Sequence, residues 1–95
     1  GRPLVTSGAV VAQVWRNDPR QALLARVLTG VRIDGLDGSA GRRVGTLLAH
    51  VGTSDVVDGH VAQLVVDGGA VLTSDPGDLG ALLDARRIEA TVVGV

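Results

Sequence analysis

The chain has 95 residues, enough for one small domain, and its net charge of −1 gives no global positive field of the kind that marks many nucleic-acid-binding proteins. Hydrophobic residues make up 45% of the chain, and the core must be aliphatic because there is one Trp, no Met and no Cys. The absence of Cys excludes disulfides and thiol chemistry, and we predict a cytoplasmic protein. No apolar run approaches the roughly 18 residues of a membrane span, so no membrane association is predicted.

The first half of the chain predicts a strand followed by two helices and then a second strand followed by a third helix. Ser7 or Thr6 is a suitable N-cap for the first helix, and Asp18 with Pro19 is a typical start for the second. Asp37 or Ser39 is the expected cap of the third helix. The elements predicted are a strand at 4–5, helices over 8–16 and 19–29, a strand at 31–36 and a helix over 39–51.

The second half predicts a fourth helix, a buried strand, a fifth helix and a last strand. The fourth helix follows a Thr53 or Ser54 cap and carries Val residues from Val56 to Val65, although Val favours strands. The later elements are a strand at 70–73, a helix from Pro76 to about Arg86 and a strand at 90–95. The order β-αα-β-αα-β-α-β predicts an α/β fold with a parallel sheet and helices on both faces.

Acidic residues concentrate in one stretch of the chain. Five of the ten acids lie within 52–79. Asp55 and Asp58 are three residues apart at the predicted start of a helix, so they share a face. Asp75 and Asp78 follow the short buried strand, and open α/β sheets bind ligands at the carboxyl ends of strands. Carboxylates brought together there repel each other unless a cation lies between them, and such oxygen ligands favour Mg²⁺ or Mn²⁺.

Several short motifs carry a family resemblance. The segment Val57 to Ala62 reads V-D-G-H-V-A, and Val71 to Asp75 reads V-L-T-S-D and is followed by Asp78-Leu79. With the upstream helix Ala9 to Arg16, these motifs resemble the last two-thirds of a PIN domain, in particular the toxins of VapBC toxin–antitoxin systems. The resemblance implies a single domain over 1–95, a PIN-like three-layer sandwich whose N-terminal strand is missing.

The resemblance also implies an activity. Many PIN domains are Mg²⁺- or Mn²⁺-dependent endoribonucleases. The resemblance therefore implies a toxin that cleaves RNA and binds a cognate antitoxin protein. Thr73 or Ser74 would orient carboxylates or water, and Arg16 would hold the RNA backbone or meet the antitoxin. The implied metal ligands are Asp55, Asp58, Asp75 and Asp78, with Asp58 and Asp75 as the catalytic pair.

Two departures from the family pattern open an alternative. The family's first strand, which ends in an Asp, and the helices after it have no counterpart here, so we expect a gap in the sheet that a separate N-terminal fragment or a homo-oligomer partner fills. Gln13 stands where the family usually has Glu, and an amide brings no charge. Both departures favour a catalytically inactive remnant that only binds a protein partner. A doubly wound small-molecule or regulatory domain unrelated to nucleases is a further alternative.

Structural roles compete with the functional ones. Asp58 could complement a helix N-terminus, and Asp75 could be a plain N-cap before Pro76. His60 is two residues after Asp58 and so points to a different face, where a surface or packing role is expected rather than that of a general base. The residues interpreted as structural or merely solvated are Asp67 in the D-G-G turn, His50 at a helix end, Trp15 as a core or interface anchor, and Arg42-Arg43.

Overall fold

A computed structural model describes residues 4–95, and its element order is the one that the sequence predicts. None of the helices in this part of the chain is long and apolar enough to cross a membrane. In chain order the elements are β1 (Leu4–Ser7), α1 (Gly8–Val14), α2 (Ala22–Leu28), β2 (Val31–Asp34), α3 (Gly38–Val51), α4 (Val56–Leu64), β3 (Ala70–Thr73), α5 (Gly80–Ala85) and β4 (Thr91–Gly94).

Helix boundaries follow from local hydrogen bonding. The Ser7 side chain accepts from the Ala9 amide at 3.1 Å, which caps α1. The Asp37 side chain accepts from the Ala40 amide at 2.8 Å, which caps α3. Gly52 ends α3 with a φ of 84°, a left-handed conformation that glycine adopts without steric cost. These predicted caps are confirmed.

Several predicted boundaries are wrong. α1 ends at Val14 instead of Arg16, and the predicted helix over 19–29 begins with a 3₁₀ turn, Pro19–Gln21. The cap of α4 is Asp55 rather than Thr53 or Ser54. β2 ends at Asp34 instead of Leu36. The predicted helix over 76–86 splits into a 3₁₀ turn, Pro76–Asp78, and the shorter α5. Pro76 at the first position is compatible with a helix, so the local reason for the split is Gly77, which is a poor α-helix former.

The sheet is parallel and has the strand order β2-β1-β3-β4. β1 pairs with β2 over four residue pairs and with β3 over two, Leu4 with Ala70 and Val5 with Val71. The expected gap in the sheet is therefore wrong for the described residues, because β1 and β3 are direct neighbours. Where the pairing of β1 with β3 stops, the Thr6 hydroxyl donates to the Leu72 carbonyl at 2.6 Å and satisfies that backbone group.

Helices flank both faces of the sheet, as predicted. Parallel connections are right-handed, so α1 and α2 lie on one face and α3, α4 and α5 on the other. α4 packs on β1 and β3, and α3 and α5 pack against α4. Most of the core lies on this second side. Its buried aliphatic members include Val44, Leu48, Val61, Val65, Val71, Leu79 and Leu82.

The contact of α3 with α4 depends on a glycine, and this gives a stability prediction. A Cβ at Gly59 would lie 2.7 Å from Leu48 Cδ2 and 2.9 Å from Val44 Cγ1, and both of these side chains are buried. We expect Gly59→Ala to lower the free energy of unfolding by about 1–2 kcal/mol, because overpacking outweighs the gain in helix propensity.

The matched control is Gly45→Ala on α3, where a Cβ meets nothing within 4 Å. There we expect a gain of about 0.5–1 kcal/mol from helix propensity alone. Urea denaturation of both variants measures the difference. Equal effects of the two substitutions would contradict the packing argument.

Candidate metal centre

The strand order places a crevice at the carboxyl edge of the sheet. The chain runs from β1 to β2 on one side, and β3 lies on the other side of β1. The connections on the two sides therefore diverge above the carboxyl ends of β1 and β3. Such a switch in direction is where open α/β sheets bind ligands. Asp75 and Asp78 follow β3 directly, so the topology places them at this crevice.

Three carboxylates converge there. One oxygen each from Asp58, Asp75 and Asp78 lies within 4.8 Å of the others. Asp58, in the first turn of α4, is only 5% exposed, whereas Asp75 and Asp78 are exposed. The sequence alone predicted these acids as ligands, and the structure brings these three together.

The carboxylate of Asp75 does not cap a helix. Asp75 stands at the N-cap position of the 3₁₀ turn, but its side chain makes no capping hydrogen bond. Its own backbone amide donates to Thr73 Oγ1 at 3.2 Å, so the Thr73 hydroxyl helps to set the course of the chain at the end of β3. The plain-cap interpretation of Asp75 is therefore wrong, and its carboxylate is directed into the cluster.

Asp55 has a different position. Its Oδ1 accepts from the Asp58 amide at 3.0 Å and caps α4. Asp55 is not one of the three carboxylates that meet within 4.8 Å, although it lines the same cavity of about 330 Å³ with Asp58 and Asp78. Its contribution to the cluster in this structure is charge and the positioning of Asp58.

The cluster is electrostatically strained. Burial raises the pKa of Asp58 to about 6, and the charge of Asp55, a hydrogen bond with Asp55 and the charges of Asp78 and Asp75 add to the rise. The pKa of Asp75 is also raised, first by a hydrogen bond shared with Asp78 and then by the charge of Asp78. Like charges held this close favour protonation or a bound cation.

The donor set fits a hard divalent cation. All three groups offer carboxylate oxygens, the ligands that Mg²⁺ and Mn²⁺ prefer. Two oxygens on opposite sides of Mg²⁺ lie about 4.2 Å apart, since each bond is about 2.1 Å long. A separation within 4.8 Å is therefore close to what a single ion spans. The cluster could hold one such ion with little movement of the side chains.

Gln13 reaches the rim of the cluster through one hydrogen bond. The Ser74 hydroxyl donates to Gln13 Oε1 at 2.6 Å and ties α1 to the residue that precedes Asp75. This contact connects the two sides of the crevice across the β1–β3 boundary. The amide oxygen is thereby engaged, so Gln13 positions the loop after β3 and adds no charge.

Arg16 caps a helix in this structure. Its Nη1 donates to the carbonyls of Ala12 and Trp15 at 3.0 and 2.7 Å, which satisfies the end of α1. The guanidinium remains exposed. Asp67 is structural as predicted, since its Oδ1 accepts from the Glu89 amide at 2.8 Å and holds the turn before β3.

Sequence reasoning did not find the buried pair of Ser7 and His60. Ser7 Oγ and His60 Nδ1 are 2.7 Å apart, and each residue is 1% exposed. His60 Nε2 is buried without a hydrogen-bond partner within residues 4–95. Burial lowers the pKa of His60, although Asp34 and Asp37 oppose this effect, so the ring is neutral at pH 7. A packing role for His60 is confirmed and a surface role is wrong. The only advance signal was its position inside a helix of buried Val residues.

The raised pKa of Asp58 predicts how stability depends on pH. Below about pH 4 the carboxyl of Asp58 is protonated in both the folded and the unfolded chain. Between about pH 4 and 6 it ionises in the unfolded chain but stays protonated in the folded one, so the free energy of unfolding falls as the pH rises. We expect Asp58→Asn to remove most of this fall, leaving the smaller part due to Asp75, and to stabilise the metal-free protein at pH 7 by about 1–3 kcal/mol. Urea denaturation between pH 4 and 7.5 measures it. Asp84→Asn, on α5 outside the cluster, is the control, and the same pH profile in both variants would contradict the prediction.

Comparisons of the chain with protein-family models, with curated proteins and with solved structures gave no match. A function must therefore be proposed from the chemistry of the cluster and from the motifs that surround it.

Proposed function

We propose that the chain is the C-terminal part of a PIN-like domain with Mg²⁺- or Mn²⁺-dependent endoribonuclease activity, the toxin component of a toxin–antitoxin system. The observation that carries the proposal is the convergence of Asp58, Asp75 and Asp78 at the carboxyl edge of a parallel sheet. The two motifs that resemble the PIN family, around Asp58 and around Asp75, are the ones that supply this cluster.

In this proposal Asp58, Asp75 and Asp78 hold the cation, and Asp55 adds negative charge beside them. A bound Mg²⁺ or Mn²⁺ would polarise a phosphate oxygen and lower the pKa of a bound water for attack on the phosphodiester. Asp58 is a firmly positioned ligand, because its backbone amide donates to Asp55 and its side chain is buried. Thr73 and Ser74 fix the loop that carries Asp75 through their hydroxyl hydrogen bonds. The proposed partners are an RNA substrate and an antitoxin protein.

Metal binding and RNA cleavage test the proposal together. We expect Mn²⁺ at about 100 times its Kd to raise the free energy of unfolding by about 2.7 kcal/mol, because only the folded chain brings the three carboxylates together. Asp58→Asn with Asp75→Asn should abolish this stabilisation and reduce Mn²⁺-dependent cleavage of a single-stranded RNA at least about 100-fold. Thermal unfolding and a gel assay are the measurements.

Asp84→Asn again serves as the control and should retain both properties. Metal binding should also tighten between pH 5 and 7, because a proton on Asp58 competes with the ion. Cleavage that survives the double substitution, or the absence of Mn²⁺ binding by the wild-type chain, would overturn the proposal.

A protein-binding role without catalysis is the second candidate, and one observation favours it. α2 has no buried residue, and its Leu23 and Val27 are 73% and 41% exposed. Ile33 on the neighbouring edge strand β2 is 43% exposed. An apolar face of this kind suits a partner protein, either an antitoxin or a second copy of the chain. Mn²⁺ distinguishes the candidates, because an inactive binding remnant requires no metal-dependent stabilisation.

A further inference from the structure

The outward face of α3 bears a basic groove. It is a cavity of about 490 Å³ between α3, the end of α4 and the end of α5. The α3 residues along it recur at helical spacing and so form a continuous stripe. The residues that line the groove are Arg42, Arg43, Thr46, Leu47, His50, Gln63 and Ala85.

In the part of the chain that the structure describes, neither arginine of this basic groove forms a salt bridge with an acid. Within residues 4–95, salt bridges join Arg20 to Asp18 and Arg32 to Asp34, and neither Arg42 nor Arg43 takes part in one. Arg42 and Arg43 are exposed, and Nη1 of Arg43 donates to the Ser39 hydroxyl at 2.7 Å. In a chain with a net charge of −1, this face is therefore locally positive.

The basic groove leads to the acid cluster. Leu47 lines the groove and Val51, four residues later on α3, lines the cavity of the acids. Ala85 lines the groove and Ala81, four residues earlier on α5, lines the acid cavity. Residues four apart on a helix lie on the same face, so the two cavities follow one another along the seam between α3 and α5. A ligand in the groove can extend from the arginines to the carboxylates.

We propose that the basic groove holds the backbone of a single-stranded RNA whose next phosphate lies at the acid cluster. Arg42 and Arg43 would contact phosphates, and Gln63 offers a neutral hydrogen-bonding group for the sugar or base. The Thr46 hydroxyl donates to the Arg42 carbonyl at 3.0 Å and can still accept from a sugar hydroxyl. The inference takes its substrate class from the proposed function. It assigns positioning residues for that substrate to Arg42 and Arg43, which the sequence alone suggested were only solvated.

The groove favours a nucleic acid over an acidic peptide. Its floor combines the apolar Leu47 and Ala85 with the polar Thr46 and Gln63, so beside the arginines it offers apolar contact for the face of a base and hydrogen bonds for its edge.

Fluorescence anisotropy with a labelled 12-nucleotide single-stranded RNA in EDTA tests the inference, because cleavage is prevented while binding is measured. We expect the double variant Arg42→Gln, Arg43→Gln to weaken binding at least about tenfold and to reduce the salt slope by about 1.4, since each phosphate contact on a single strand contributes about 0.7. The control Arg20→Gln, Arg26→Gln removes the same charge from α2 and its preceding turn and should change binding less than about twofold.

Equal weakening by both double variants would show a general charge effect and overturn the inference. So would a Glu-rich 12-residue peptide that binds in an Arg42- and Arg43-dependent manner while the RNA does not. Kinetics with Mn²⁺ separate the two proposals: we expect the variant to raise KM with kcat changed less than about twofold. An unchanged KM would overturn the inference and leave the nuclease proposal standing. RNA binding that depends on Arg42 and Arg43, without any cleavage by the wild type, would overturn the nuclease proposal and leave the binding groove standing.

Discussion

The position of β1 between β2 and β3 is the constraint on which the rest of the molecule depends. All four strands are parallel, so every strand ends at the same edge of the sheet, and every helical connection must return to the opposite edge. Because β1 has a neighbour on each side, the connections to β2 and from β3 diverge above it. This divergence leaves room for side chains from α4 and from the loop after β3 to meet. The Gln13–Ser74 hydrogen bond spans the same boundary.

The acid cluster costs the metal-free fold stability, because it holds carboxylates close together. Asp58 is buried beside other carboxylates, and its pKa of about 6 shows that ionisation there is opposed by burial first and by neighbouring charge second. The chain offers no basic side chain in salt-bridge contact with Asp58 within residues 4–95. A fold under selection for stability alone has no reason to keep such a group, because an uncharged side chain of similar size would be less costly. Functional sites are where such strain is usually found.

The two faces of the sheet differ in packing, and the difference organises the surface. α3, α4 and α5 enclose an aliphatic core in which Gly59 permits close contact between α3 and α4. α1 and α2 cover the other face less completely, and Leu23 remains 73% exposed. The well-packed side therefore carries the rigid elements that bear Asp58 and the seam between α3 and α5. The more open side carries the apolar surface that suits a protein partner.

The sequence by itself determined the element order and the starts of α1 and α3, because their capping residues Ser7 and Asp37 act through hydrogen bonds to neighbours in the chain. It also indicated the acids of the cluster, since a strand that ends in acids at the edge of a parallel sheet is a local pattern. Only the tertiary structure decided that β1 lies beside β3 and that Asp55 caps α4 instead of joining the three converging carboxylates. The burial of His60 against Ser7 was also decided there. These features depend on contacts between residues far apart in the chain, and local periodicity carries no information about which distant elements become neighbours.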